Sequence, residues 1–230
     1  MTPPAATSDP SAAAPDPDGQ GVEADVAGAS VAGKSVVRKR PKPGERRVQI
    51  LQTLASMLEQ PGAERVTTAA LAAKLDVSEA ALYRHFASKA QMFEGLIDFI
   101  EQSVFSLVNQ IQERETDAVV QVRKVLSALL QFGEKNPGMV RVMVGDALVF
   151  ENDRLLARMS QFFDRIESHL RQGLRAAAEA AGSTTPTVDA NVRAAVLTAF
   201  AVGRLQRFAR SGFKRSPTEQ LDLALPLLVP

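Results

Sequence analysis

The sequence predicts an all-α protein of about nine helices, three short ones near the N-terminus followed by a larger helical domain. Apolar residues recur at three- and four-residue steps through most of the chain from Glu45 onward, the period of helices with one buried face. Capping residues and Pro- or Gly-containing breaks cut that pattern into helix-length pieces. No Asn-Gly turn sits between alternating runs, so strands find no support.

The elements follow in order. Residues 1–33 are rich in Ala, Pro, Asp, Gly and Ser and hold no aromatic residue, Leu or Ile; they bury too little to offset chain entropy and read as a disordered tail. The arm SVVRKRPKPGERR comes next, and Pro41 and Pro43 keep it from joining a helix before Gly44. Val48, Leu51, Leu54, Ala55 and Leu58 form the stripe of a first helix that ends at Gln60, before Pro61-Gly62. Thr67 caps a second helix over 68–75, with Leu71 and Leu75 inward. A tight turn at Asp76-Val77 leads to Ser78, the cap of a third helix over 79–85. Ser88 and Gln91 have capping-box spacing and open a long fourth helix, striped by Phe93, Leu96, Ile97, Ile100, Val104, Leu107, Val108 and Ile111.

A fifth helix over 117–135 stops at Asn136-Pro137-Gly138, and a sixth covers 139–150. The seventh, 153–181, buries Leu156, Met159, Phe163, Ile166, Leu170 and Leu174. The eighth, 188–211, sets Ala195, Ala199 and Gly203 on one face, which permits close approach of another helix. Ser216-Pro217-Thr218-Glu219 reads as the cap of a last short helix. Three regions result: 1–44, acidic tail and basic arm; 45–90, a helix-turn-helix domain; 91–230, a dimerisation and partner-binding domain.

The chain of 230 residues has 27 Lys+Arg against 26 Asp+Glu, a net charge of +1 that conceals an asymmetry. The tail carries Asp9, Asp16, Asp18, Glu23 and Asp25 and no base, a net −5. Lys34, Arg38, Lys39, Arg40, Lys42, Arg46 and Arg47 then oppose Glu45 alone, a net +6 suited to a polyanion. With Cys 0, disulfides, thiolate metal sites and Cys nucleophiles are excluded, and His85 and His169 are the only histidines. A Gly-rich phosphate loop, HExxH and G-x-S-x-G are all missing, so no enzyme, cofactor or metal is expected. An early positive charge with an apolar run is also missing, as is any apolar stretch near the roughly 20 residues that span a bilayer. These absences predict a cytoplasmic protein with no membrane partner.

The second and third helices, joined by a short turn, have helix-turn-helix proportions, and the third is the one expected in a major groove of double-stranded DNA. Ser78, Glu79, Ala80, Ala81, Tyr83, Arg84 and His85 are its outward candidates, while Val77, Leu82 and Phe86 hold it to the rest. Small side chains at Ala80 and Ala81 let backbone approach the bases and offer methyls to thymine. Thr67, Thr68 and Lys89, near helix N-termini, are placed to meet phosphate, as are Tyr83 and His85. Arg46 and Arg47 continue the basic arm, which could track the backbone or enter a minor groove.

The string VTTAALAAKLDVSEAALYRHFASKAQMFEGLI resembles the DNA-binding domain of TetR-family regulators. FGEKNPGMVRVMVGDALVFENDRL, QFFDRIESHLRQGLR and FKRSPTE extend the resemblance to the SlmA group of nucleoid occlusion factors, over about residues 45–225. The resemblance implies a homodimer that binds palindromic chromosomal sites at the nucleoid and, while bound, antagonises assembly of the division protein FtsZ. It implies that the FtsZ C-terminal tail docks around the fourth and fifth helices, and it leaves open whether one dimer or several occupy a site. The acidic tail has no counterpart in the group, Ala87 stands where Pro is usual, and Asp76 replaces the common turn glycine. Asp tolerates a left-handed backbone, so the turn is expected to survive.

Phe99 lies roughly 100 to 120° off the core stripe of the fourth helix and needs a second partner, which could be the fifth helix, another subunit or a bound peptide. Lys135 and Asn136 end the fifth helix, where a cation complements the helix dipole and equally attracts an acidic segment. Phe99, Lys135 and Asn136 are therefore the partner-binding candidates. No small-molecule ligand is expected. The alternative, a repressor released by a small ligand, would use Phe132, Met139, Met143, Phe150 and Phe162 to line a cavity, although such residues more often fill a core.

Overall fold

The computed structural model describes residues 44–60 and 65–229; the acidic tail, the arm before Gly44 and the Pro61-Gly62 break lie outside them. Nine α-helices and a 3-10 turn account for most of the described residues, with no strand among them.

The first three helices are short, and their packing depends on a few large side chains. α1 (Glu45–Leu58) buries Ile50, Leu54 and Leu58. Val48, expected on that stripe, is exposed, because it sits two residues before Ile50 and so on the opposite side of the helix from the buried row. α2 (Thr68–Lys74) and α3 (Glu79–Tyr83) are capped as expected: Thr67 Oγ1 accepts from Ala70 N, and Ser78 Oγ accepts from Ala81 N. Such a cap contributes about 1 kcal/mol. Asp76, between them, adopts φ +55, the left-handed turn that its short polar side chain tolerates. α3 ends at Tyr83, short of residue 85.

α4 (Lys89–Arg114) opens at Ser88, whose Oγ accepts from Gln91 N while the Gln91 side chain accepts from Ala87 N, one residue before a standard capping box. It runs unbroken for 26 residues, so the expected regions 45–90 and 91–230 share its first turn. Met92 and Phe105 join its buried face, whereas Leu107 is part-exposed.

α5 (Ala118–Lys135) is capped by Asp117. Gly138 lets α6 (Pro137–Met143) sit against α1, since a Cβ there would lie 2.1 Å from the Ala55 carbonyl oxygen. The expected sixth helix is thus two pieces: it begins at Pro137 and stops before Gly145, whose φ of +86 breaks it ahead of the 3-10 turn at Asp146–Leu148.

α7 (Asp153–Ala180) and α8 (Pro186–Arg210) form the most extensive helix pairing. In α7 the buried row is Leu155, Met159, Phe162, Ile166, Leu170 and Leu174. Leu156 and Phe163, expected inward, sit on its flank because the face turns by one residue over the first two turns. The Ser216-Pro217-Thr218-Glu219 segment is a turn rather than a helix cap, and α9 (Leu221–Leu228) starts after Gln220. The Ser216 and Thr218 hydroxyls donate to the Glu134 carboxylate on α5 instead, which fixes the turn across the molecule. Arg123 closes the chain end, donating from Nε and Nη2 to the Val229 carbonyl at 2.9 and 2.6 Å. The described residues form one compact unit.

Candidate nucleic-acid interface

The interface is built from the α2–turn–α3 pair. Leu71, Leu75, Leu82 and Phe86 are buried and fix α3 against the rest of the unit, which leaves Ser78, Glu79, Ala80, Tyr83 and Arg84 exposed. Ala81 and His85 are half-buried. Tyr83, at 45% exposure, projects from the last turn of α3, and Arg84 follows as its C-cap. The outer surface of α3 is therefore small side chains at Ala80 and Ala81 with a phenol and a guanidinium at the end, a shape that lets its backbone approach the floor of a groove.

Several expected DNA residues also have partners within the chain. Thr68 Oγ1 donates to Glu79 Oε2 at 2.6 Å, tying the start of α2 to the start of α3. Arg47 Nη1 donates to the His85 carbonyl at 2.5 Å, and its guanidinium lies 4.0 Å from the Phe86 ring centroid, so Arg47 clamps α1 to the end of α3. Arg46 donates to Gln49 Oε1 at 2.8 Å along α1. Thr67 and Ser78 use their hydroxyls as caps, which leaves the hydroxyl protons available.

Lys89 is the residue whose surroundings sequence reasoning missed. Its amine pairs with Glu151, in the loop between the 3-10 turn and α7, and lies 5.6 Å from the Phe93 ring centroid. Phosphate approaching Lys89 would compete with a carboxylate already in place. Glu151 carries no local signal, because only the fold brings residues 62 positions apart together. Arg154 continues the seam by pairing with Glu94 at 2.6 Å.

A second constellation lies on α4 and α5. Phe99 is 47% exposed, and its ring centroid is 6.5 Å from that of the buried Phe132. Of the open alternatives the fifth helix supplies one face, and half the ring still meets solvent. Asn136 Nδ2 donates to the Phe132 carbonyl at 2.8 Å and so satisfies a terminal carbonyl of α5. Phe99 thus approaches the ring of Phe132 and Asn136 its carbonyl, and Lys135, next to Asn136 in the chain, is exposed. Arg158 of α7 donates to Asp98 and Glu101 at 2.6 Å on either side of Phe99; the Glu101 hydrogen bond, then Asp98, hold its guanidinium above its ordinary pKa despite partial burial. Of the residues proposed for a ligand cavity, Phe132, Met139, Met143 and Phe162 are core side chains, and Phe150 is 67% exposed. Among the described residues no group of acidic and His side chains is arranged to hold a metal, and no helix is long and apolar enough to cross a membrane.

Comparison with known proteins matches residues 50–96 to the family "Bacterial regulatory proteins, tetR family" and residues 116–230 to "Tetracyclin repressor-like, C-terminal domain" of the SlmA-like type. The chain is 52% identical over 182 residues to a protein of Photobacterium profundum named nucleoid occlusion factor SlmA, covering 79% of this chain and 92% of that one. It is 53% identical over 178 residues to the protein of the same name from Vibrio cholerae, covering 77% and 90%. Among solved structures, the TetR-family regulator PfmR of Thermus thermophilus superposes with a TM-score of 0.64 at 21% identity, covering 79% of this chain and 97% of that one. FadR of Bacillus subtilis, solved with stearoyl-CoA, gives 0.63 at 14% over 79% and 97%. At those identities the two structures share the fold alone. The helix-turn-helix geometry and the similarity through the second half lead to one assignment: the chain belongs to the TetR family and, within it, to the SlmA nucleoid occlusion factors.

Proposed function

We propose that this chain is a DNA-bound nucleoid occlusion factor acting in the cytoplasm at the nucleoid. Two copies bind a palindromic chromosomal site, each placing α3 in a major groove, with Ser78 and Ala80 toward the bases and Thr67 and Tyr83 toward phosphate. While on DNA the dimer engages the C-terminal tail of FtsZ at the Phe99–Phe132 edge, beside Lys135 and Asn136, and opposes FtsZ assembly over unsegregated DNA.

The observation that carries this reading is the reach of the similarity, 52–53% identity over 77–79% of the chain to relatives named for nucleoid occlusion. The outer face of α8 supports the homodimer: Val188, Val192 and Val196 are exposed, with Ala195 and Ala199 among them, an apolar strip that a second copy would cover. The deciding experiment follows FtsZ assembly by sedimentation with this protein, with and without DNA fragments it selects from its genome. Inhibition that strengthens with those fragments is the expected result. Release from DNA by a small ligand, with FtsZ unaffected, would overturn the reading in favour of a ligand-responsive repressor.

A further inference from the structure

At the C-terminal end of α8 the chain gathers positive charge that the one carboxylate lining the same hollow only partly offsets. Arg204, Arg207 and Arg215 line an open cavity of about 230 Å³ with Ser216, Glu219 and Gln220, and Lys214 borders the adjoining hollow. Glu219 is the one carboxylate in that lining, so four cations against it leave a surplus of three positive charges. The side chains of Arg207, Lys214 and Arg215 make no hydrogen bond or ion pair with any described residue. Arg204 is already engaged: its Nη1 donates to the Pro217 and Glu219 carbonyls at 3.2 and 2.6 Å, and its guanidinium stacks 4.8 Å from the Phe200 ring centroid. Its role is to shape the wall.

The loop carrying these charges is held firmly. Phe213 and Gln220 both adopt left-handed backbone, φ +64 and +52, conformations that are strained for a non-glycine residue and cluster at binding sites. Ser216 and Thr218 anchor the loop to Glu134. A further cation packs behind the loop, outside the residues that line the pocket. Arg141, on α6, is only 8% exposed, its Nε has no hydrogen-bond partner, and its guanidinium lies 5.2 Å from the ring centroid of Phe213 in that loop. Buried cations ordinarily have a counter-charge, and the described residues offer Arg141 none.

We infer that this pocket binds a phosphate group. A single carboxylate would leave most of the surplus charge unbalanced. A phosphate dianion supplies two charges and three or more acceptor oxygens, and guanidinium forks such as those of Arg207 and Arg215 match it bidentately. The polar lining and open mouth suit an ion or a phosphoryl end group better than an apolar ligand. The group is carried either by a free phosphate-bearing molecule or by the DNA backbone, and the site stands independently of any action on FtsZ.

The test uses the full chain with pyrophosphate as probe, followed by titration calorimetry at low salt. The probe is expected to bind wild type at a single site and at least tenfold more weakly to the Arg207→Gln/Arg215→Gln variant. Arg114→Gln/Arg175→Gln, which removes two cations elsewhere, should bind as wild type does. Thermal melts establish that all three are folded, and Arg207→Lys/Arg215→Lys, which keeps the charge and loses the forks, should recover only part of the affinity. Equal weakening in both Gln double variants, or no saturable binding by wild type, overturns the inference. Duplex binding separates the two sources: a smaller salt slope in the Arg207→Gln/Arg215→Gln variant identifies the DNA backbone, and an unchanged slope identifies a free phosphate compound.

Discussion

Each residue of the candidate interface can be tested by what it would lose. Tyr83 and Thr67 project from the two ends of the helix-turn-helix, so Tyr83→Ala and Thr67→Ala should each weaken duplex binding across sequences while leaving the salt slope nearly unchanged, since neither side chain carries charge. Filter binding at several salt concentrations checks this, and unchanged affinity in both variants rules out the proposed docking. Phe99→Ala should keep fold and DNA binding while losing antagonism of FtsZ, because half the ring contributes nothing to the core; a large drop in melting temperature would instead make Phe99 structural. His169 offers a pH test. Burial, and then the nearby Arg165, push its imidazole below the ordinary value of 6.5, while Gln112 Nε2 lies 3.2 Å from its Nδ1 and Phe105 packs beside it. The unfolded chain therefore binds the proton more readily. The stabilisation is complete above pH 6.5 and is lost as pH falls below that value, so His169→Gln should flatten the decline in melting temperature between pH 7 and 5.

Among the elements, the α1–α6 contact has the least room for change. A methyl at position 138 would lie 2.1 Å from the Ala55 carbonyl oxygen, so Gly138→Ala must separate two helices rather than rotate a side chain. A loss of about 2 kcal/mol is expected, read as a lowered midpoint in urea, whereas Gly203→Ala, inside α8 with open space around it, should raise the midpoint, a gain of about 0.5–1 kcal/mol. The sequence shows an Asn-Pro-Gly stop at this place but not what the glycine touches, since Ala55 is 83 residues away. Local chemistry was legible wherever it is self-contained: the caps Thr67, Ser78 and Ser88 and the left-handed turn at Asp76 all follow from neighbours within three residues. The phase of α7 was harder to read, because Leu155-Leu156 and Phe162-Phe163 place apolar pairs on two adjacent faces and only the packing partners choose between them. Ser216 and Thr218 imitate a cap in the sequence, and their hydroxyls serve Glu134 on α5.

For the whole molecule, the exposed strip on α8 makes a strong demand. Val188, Val192 and Val196 are each more than half exposed in the isolated chain, and a charge in their midst should prevent two copies from covering it. Val192→Asp/Val196→Asp should sediment as a monomer and bind a palindromic duplex far more weakly than wild type, while binding of a single half-site changes little. The candidate surfaces for DNA and for FtsZ were legible as separate residue sets. Their physical link was not, because it depends on the Lys89–Glu151 and Arg154–Glu94 pairs and on one helix that passes through both. That helix has a mechanical consequence. Lys89 and Phe99 are ten residues apart on unbroken α4, about 15 Å along its axis, so under the proposed docking the first half of α4 is a stiff lever between the duplex and the aromatic edge. A tilt of only about 5° about the Lys89 end would carry Phe99 roughly 1 Å across Phe132, enough for events at the double helix to be felt by whatever rests on that ring.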